Sequence, residues 1–196
     1  MEAAPLVDCY SWWTFSDIFE ENYFPSVPFH GGFGLLNLHG IAKPTYRAFE
    51  MLHRLGDALW PVQGTHPTLD VWVAKGTGAG TVLVTNHALP RHLIQGERLH
   101  VVLGDAPEPQ RAYIERIDDS HGNPKRSWQA IGEPEYLSPA LLERLQEASR
   151  LERKACNFTY RDGAIHLDLD VRAHSVAGVT LKFGPQHLQE STADVP

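Results

Sequence analysis

Alternation of apolar and polar residues in short runs dominates the chain from Leu69 onward and leaves few folds open to it. Leu69-Asp70-Val71-Trp72-Val73-Ala74 and Thr81-Val82-Leu83-Val84-Thr85 flank Gly76-Thr77-Gly78-Ala79-Gly80, and further runs follow at residues 98–103, 112–117, 164–171 and 176–183. Side chains along a strand point alternately to two faces, so several such runs joined by turns predict a β-sandwich. The glycine-rich stretch could suggest a phosphate loop, but a phosphate cradle needs a helix behind it and a β-branched run opens at Thr81; it reads as a hairpin turn. One helix interrupts the strands at about residues 139–152. Ser138 is a good N-cap, Pro139 suits the first turn, and Leu141, Leu145 and Ala148 share one face.

The first 57 residues have another texture. Residues 7–19 are dense in aromatic and β-branched types, as in a strand buried on both faces, and they run into a loop with Pro25, Pro28, Gly31, Gly32 and Gly34. Asp17, Glu20 and Glu21, just past that strand, are expected at its exposed end. A helix over residues 43–55 follows, with Pro44 in its first turn and Gly56 as its stop. Strand, loop and helix form one β/α unit, which cannot bury itself alone.

Composition removes several function classes. A formal charge of -7 has the wrong sign for neutralising phosphates, which argues against nucleic acid. No apolar run reaches the roughly 18–20 residues of a membrane helix, and Met1-Glu2-Ala3-Ala4-Pro5 carries an acid where a secretory leader is basic, so the chain as given reads as soluble, untargeted and thus cytoplasmic, with its actual compartment left open. Cys9 and Cys156 are too few and too far apart for a disulfide framework or a metal knuckle and read as packed thiols. The tail from Gln186 is polar and expected to fray.

Few side-chain constellations carry chemistry. His30-Gly31-Gly32-Phe33-Gly34 has the look of an esterase oxyanion loop, but no Gly-x-Ser-x-Gly elbow accompanies it. His166, Asp168 and Asp170 share one strand face and could face a metal, although a solvated sheet face explains them better. Asp118 to Asn123 fails the calcium-loop spacing and reads as a turn. The strongest segment is Trp12-Trp13-Thr14-Phe15-Ser16-Asp17-Ile18-Phe19-Glu20-Glu21. Aromatic rings offer flat apolar faces to the C–H side of a sugar, and carboxylates accept hydrogen bonds from its hydroxyls.

Three ordered blocks carry a more specific signal: residues 13–21, Pro28-Phe29-His30-Gly31-Gly32-Phe33-Gly34-Leu35, and Gly40-Ile41-Ala42-Lys43-Pro44-Thr45-Tyr46-Arg47-Ala48-Phe49-Glu50. Together they resemble glycoside hydrolase family 39, the β-xylosidases, and the resemblance continues through Val84-Thr85-Asn86-His87 and Pro134-Glu135-Tyr136-Leu137-Ser138 before thinning after about residue 153. It implies a (β/α)8 barrel with an accessory β-sandwich, and retaining hydrolysis of terminal β-xylosyl residues by two glutamates at the ends of the fourth and seventh strands. Residues 12–19 resemble the eighth strand and its loop, so both catalytic glutamates would lie before Met1. The chain thus resembles only the C-terminal part of such an enzyme and is expected to be catalytically incomplete.

The fold expected is mainly β. Residues 1–57 form the last, incomplete barrel unit, and residues 58–196 an accessory β-sandwich with one inserted helix. Trp13 and Glu21, with Glu20 as a neighbour, are the substrate-binding residues that the resemblance implies. Neither a metal nor an organic cofactor is implied, the partner is a xyloside or xylo-oligosaccharide, and the oligomeric state is open. A non-catalytic carbohydrate-binding or scaffold sandwich is the alternative.

Overall fold

The computed structural model of the protein describes residues 6, 8–18, 27–89 and 92–184. Glu20, Glu21 and the tail from Gln186 lie outside them. The described residues are mainly β, with strands β1 (Ala58–Trp60), β2 (Leu69–Gly76), β3 (Ala79–Asn86), β4 (Glu97–Leu103), β5 (Arg111–Ile117), β6 (Lys154–Ala155), β7 (Thr159–Arg161), β8 (Ala164–Val171) and β9 (Ser175–Lys182), and helices α1 (Pro44–His53), α2 (Pro124–Ala130) and α3 (Pro139–Ala148). They fall into two compact units: the described residues of Met1–Arg47 with Asn123–Arg150, and of Ala48–Gly122 with Leu151–Pro196.

The second unit is the β-sandwich. One sheet has the order β1-β2-β3-β9-β5-β6, the other β4-β8-β7, and every pairing between these strands is antiparallel. The period-two pattern is realised residue by residue. Val82 and Val84 of β3 and Val179 and Leu181 of β9 meet Ile165, Leu167 and Leu169 of β8 in one core between the sheets. Between them on β8, Asp168 and Asp170 are exposed and His166 partly so. On the outer face of the larger sheet, Leu83 and Ile117 pack with Met51, Ala48 and Leu52 of α1. Helix α1 ends at His53, three residues before Gly56, and glycine is needed at 56 for a reason the sequence hides: a Cβ there would collide with the Lys75 carbonyl.

The first unit is built from the N-terminal residues with α2 and α3. Asn123 caps α2 through the Arg126 N–H, and Ser138 caps α3 through the Leu141 N–H. Leu145 of α3, Trp128 of α2, Phe29 and Ile41 form its core, with the rings of Phe29 and Trp128 5.6 Å apart. Ser149 donates to the Ala42 carbonyl at 2.7 Å and its own carbonyl accepts from Arg47 Nε at 2.7 Å. Although α3 interrupts the sandwich strands in sequence, it clusters with the N-terminal residues. Helix α2, which follows the expected turn at residues 118–123, escapes the sequence patterning because its seven residues hold too short an apolar stripe.

Residues 8–18 depart from the expectation of a buried strand. Among them only Ser16 makes a β-bridge, to Leu36, and Trp13, Phe15 and Ile18 are 68%, 65% and 74% exposed. Aromatic and β-branched density marks residues that gain from cover, but it does not supply the covering element.

Candidate functional site

The segment carrying Trp13 is held by its backbone and by one buried carboxylate. The Leu35 N–H donates to the Thr14 carbonyl, the Leu36 N–H to the Phe15 carbonyl and the Asp17 N–H to the Leu36 carbonyl, all at 2.9–3.0 Å. Trp12 Nε1 donates to the Phe33 carbonyl at 2.8 Å. The Trp13–Thr14 peptide bond is cis. The Trp13 indole stands largely in solvent on this fixed backbone.

Asp17 is not at an exposed end. Its side chain is fully buried, with Oδ1 accepting from the Gly34 N–H at 2.8 Å and from Lys43 Nζ at 2.8 Å, and Oδ2 lying 3.0 Å from the same ammonium. Lys43 Nζ also donates to the Gly32 carbonyl at 2.8 Å. A buried charge is tolerated only when it is paired and its lone pairs are filled, and here both conditions hold. The sequence reading missed this because a Lys 26 positions away leaves no local signature.

The glycines of the His30–Gly34 stretch serve this arrangement. A Cβ at Gly34 would fall 2.3 Å from Asp17 N and Ser16 C, so only glycine lets the loop approach that closely. His30 Nδ1 accepts from the Gly32 N–H at 3.0 Å, and His30 Nε2 lies 4.0 Å from Asp17 Oδ2. The hollow there, about 10 Å³, has room for a water at most and not for an acyl substrate. The loop thus packs around Asp17 rather than presenting an oxyanion hole.

The other constellations resolve into ordinary structure. Gly76–Ala79 is the turn between β2 and β3. His100 Nδ1 and Asp168 Oδ1 are 2.8 Å apart, Arg98 meets Asp170 at 3.3 Å and Arg161 meets His166 at 3.2 Å, a network of neighbours on a solvated sheet face. Asp118 accepts from the Ser120 N–H and from His121, as an Asx turn does. Cys9 is exposed rather than packed, and Cys156 is half-buried. Among the described residues no helix is long and apolar enough to cross a membrane.

Three comparisons agree. The family model for glycosyl hydrolases family 39 matches residues 1–166. A β-xylosidase of Caldicellulosiruptor saccharolyticus is 41% identical over 179 residues, and one of Geobacillus stearothermophilus 31% identical over 187 residues. These alignments cover 90% and 92% of this chain but only 37% and 35% of the relatives, so the chain spans little more than a third of their length. Crystal structures of the family 39 enzyme from Xanthomonas axonopodis pv. citri and of a monomeric β-xylosidase from Caulobacter crescentus superpose with TM-scores of 0.74 and 0.72, each at 25% identity. They cover 93% and 92% of this chain and 38% and 39% of theirs. With sequence blocks, sandwich topology and overlay all in agreement, the chain belongs to glycosyl hydrolases family 39 and corresponds to the C-terminal part of its members.

Proposed function

We propose that these residues supply the C-terminal part of a retaining β-xylosidase, in which Trp13 contacts the terminal xylosyl residue and Glu21 and Glu20 stand beside it. Residues 1–57 are then the last strand–loop–helix unit of the barrel and 58–196 the accessory domain, apart from 123–150, which cluster with the N-terminal residues. The substrate is a xyloside or xylo-oligosaccharide. The observation that carries the reading is the Trp13 indole, 68% exposed on a backbone pinned by its neighbours, in a chain 41% identical to a β-xylosidase. An exposed indole on a fixed backbone offers a sugar a flat face at little cost in ordering.

On this reading the 196 residues do not turn over xylosides by themselves. Retaining hydrolysis needs two carboxyl groups about 5–5.5 Å apart, flanking the anomeric carbon. Asp17, the carboxylate four residues beyond Trp13, has both oxygens engaged by Lys43. Glu20 and Glu21, adjacent in sequence, would point to opposite faces of an extended chain.

The test is an enzyme in which these residues replace the matching part of the Caldicellulosiruptor relative. Trp13→Ala and Glu21→Ala should each lower kcat/KM on an aryl β-xyloside by about 30- to 1,000-fold, the equivalent of about 2–4 kcal/mol of lost contact or charged hydrogen bond. Near-normal kcat/KM in both variants, or xyloside turnover by the isolated chain that disappears in Glu20→Gln or Glu21→Gln, would sink the assignment.

A further inference from the structure

The outer face of the six-stranded sheet carries a pit that the Trp13 segment does not explain. It arises at Gly178 of β9, whose register partners are Leu83 on β3 and Glu115 on β5. With no side chain there the sheet surface dips, and a Cβ would stand 3.7 Å from both Leu83 Cδ1 and Met51 Sδ. The cavity measures about 290 Å³, the volume of one small molecule rather than of a chain segment. Two residues along, Thr81 and Thr180 are register partners, half-buried and lining the pit. Their hydroxyls have no hydrogen-bond partner among the described residues.

Charge gives the pit its character. Glu115 is buried, with Arg54 Nη1 3.0 Å away and Arg153 Nη2 3.7 Å away. Lys182 stands at the rim and has no ion pair among the described residues. Three cations around one carboxylate leave an excess of two positive charges, in a chain whose net charge is -7. Glu115 holds the two guanidiniums in place before any ligand arrives, and the Arg153 guanidinium also lies 5.9 Å from the centre of the Tyr113 ring. Preorganised guanidiniums lose little freedom on meeting an anion.

We propose that this pit binds a small polyol bearing a carboxylate, a sugar acid such as a hexuronate. The carboxylate meets Arg153 and Lys182, and the ring hydroxyls exchange hydrogen bonds with Thr81 and Thr180. A neutral sugar leaves the cations unmatched, and a bare inorganic anion leaves the threonine hydroxyls and most of the volume unfilled.

Titration calorimetry of the full 196-residue chain at low ionic strength, with D-glucuronate, D-xylose and inorganic phosphate as separate probes, tests this. Saturable glucuronate binding that weakens with added salt is expected, with D-xylose silent. Lys182→Glu, at an exposed position, should weaken it at least tenfold with the Tm unchanged, and Arg153→Gln should weaken it as well. Trp13→Ala should leave it intact, which separates this site from the proposed xylosyl contact. Undiminished glucuronate binding in Lys182→Glu, equal binding of D-xylose, or binding of phosphate without glucuronate would each overturn the proposal.

Discussion

Replacing Lys43 with alanine isolates the one buried carboxylate that organises the Trp13 segment. In Lys43→Ala the Asp17 side chain, fully buried, keeps the Gly34 N–H but loses the ammonium that lay 2.8 and 3.0 Å from its oxygens, and the Gly32 carbonyl loses its 2.8 Å donor. Breaking a buried pair from one side typically costs about 3–5 kcal/mol, because an uncompensated charge remains in a place water cannot reach. At about 1.4 kcal/mol per factor of ten, opening of the local structure becomes roughly 150- to several thousandfold easier. Hydrogen exchange reads this directly. The amides of Asp17, Leu35 and Leu36, bonded between residues 14–17 and 35–36, should exchange faster by up to that factor, while those of Val82 and Val179 in the sandwich core keep their rates. The double variant Asp17→Asn with Lys43→Met removes both charges while retaining an acceptor for Gly34, and should recover most of the loss. An exchange rate at Leu36 within about threefold of the parent in Lys43→Ala, or equal acceleration of Val179, would refute the reasoning.

Two further substitutions test other contacts. Gly34→Ala, whose Cβ meets backbone at 2.3 Å, should cost about 1–3 kcal/mol, whereas Gly104→Ala, with open space around it, should stay within about 0.5 kcal/mol; paired urea melts compare them. Burial alone would raise the Asp118 carboxyl, but the Ser120 N–H, His121 and Arg172 outweigh it and hold it below the usual carboxylate value. The resulting stabilisation is present above about pH 4 and fades as pH falls through the lowered folded value, so Asp118→Asn should flatten the acid limb of a stability–pH curve.

What the sequence discloses divides along physical lines. Strand alternation is local, so residues 69–86, 97–117 and 164–182 are legible, as is α3 through Ser138 and Pro139. The hairpin turn at Gly76–Ala79 is equally local. Asp17 is not, because its burial depends on Lys43 and on a backbone approach at Gly34 that only the folded chain reveals. Residues 8–18 mislead for the complementary reason: aromatic density signals a gain from cover, and Trp13, Phe15 and Ile18 stand exposed because only tertiary context decides whether that cover is present. The family itself was legible in the ordered blocks at residues 13–21, 28–35 and 40–50, whereas the pit at Gly178 required the register of three strands.

The discontinuous pairing of α2 and α3 with the N-terminal residues implies that the sandwich can do without them. Its core between the sheets draws no residue from 123–150, and the cluster on its outer face uses Ala48, Met51 and Leu52 of α1 with Leu151. The chain leaves and rejoins this unit at one place: a Cβ on Gly122 would lie 3.5 Å from Leu151 Cδ2. Closing so short a gap with a few residues costs little loop entropy. A chain of residues 44–184 in which 123–150 are replaced by a four-residue Gly/Ser linker should therefore melt cooperatively, with the β-type circular dichroism of the parent sandwich. What it loses is the cover that Leu145 and Trp128 give to Phe29 and Ile41, all of which leave together. A broad, non-cooperative melt of this shortened chain would show that the sandwich depends on the helices after all.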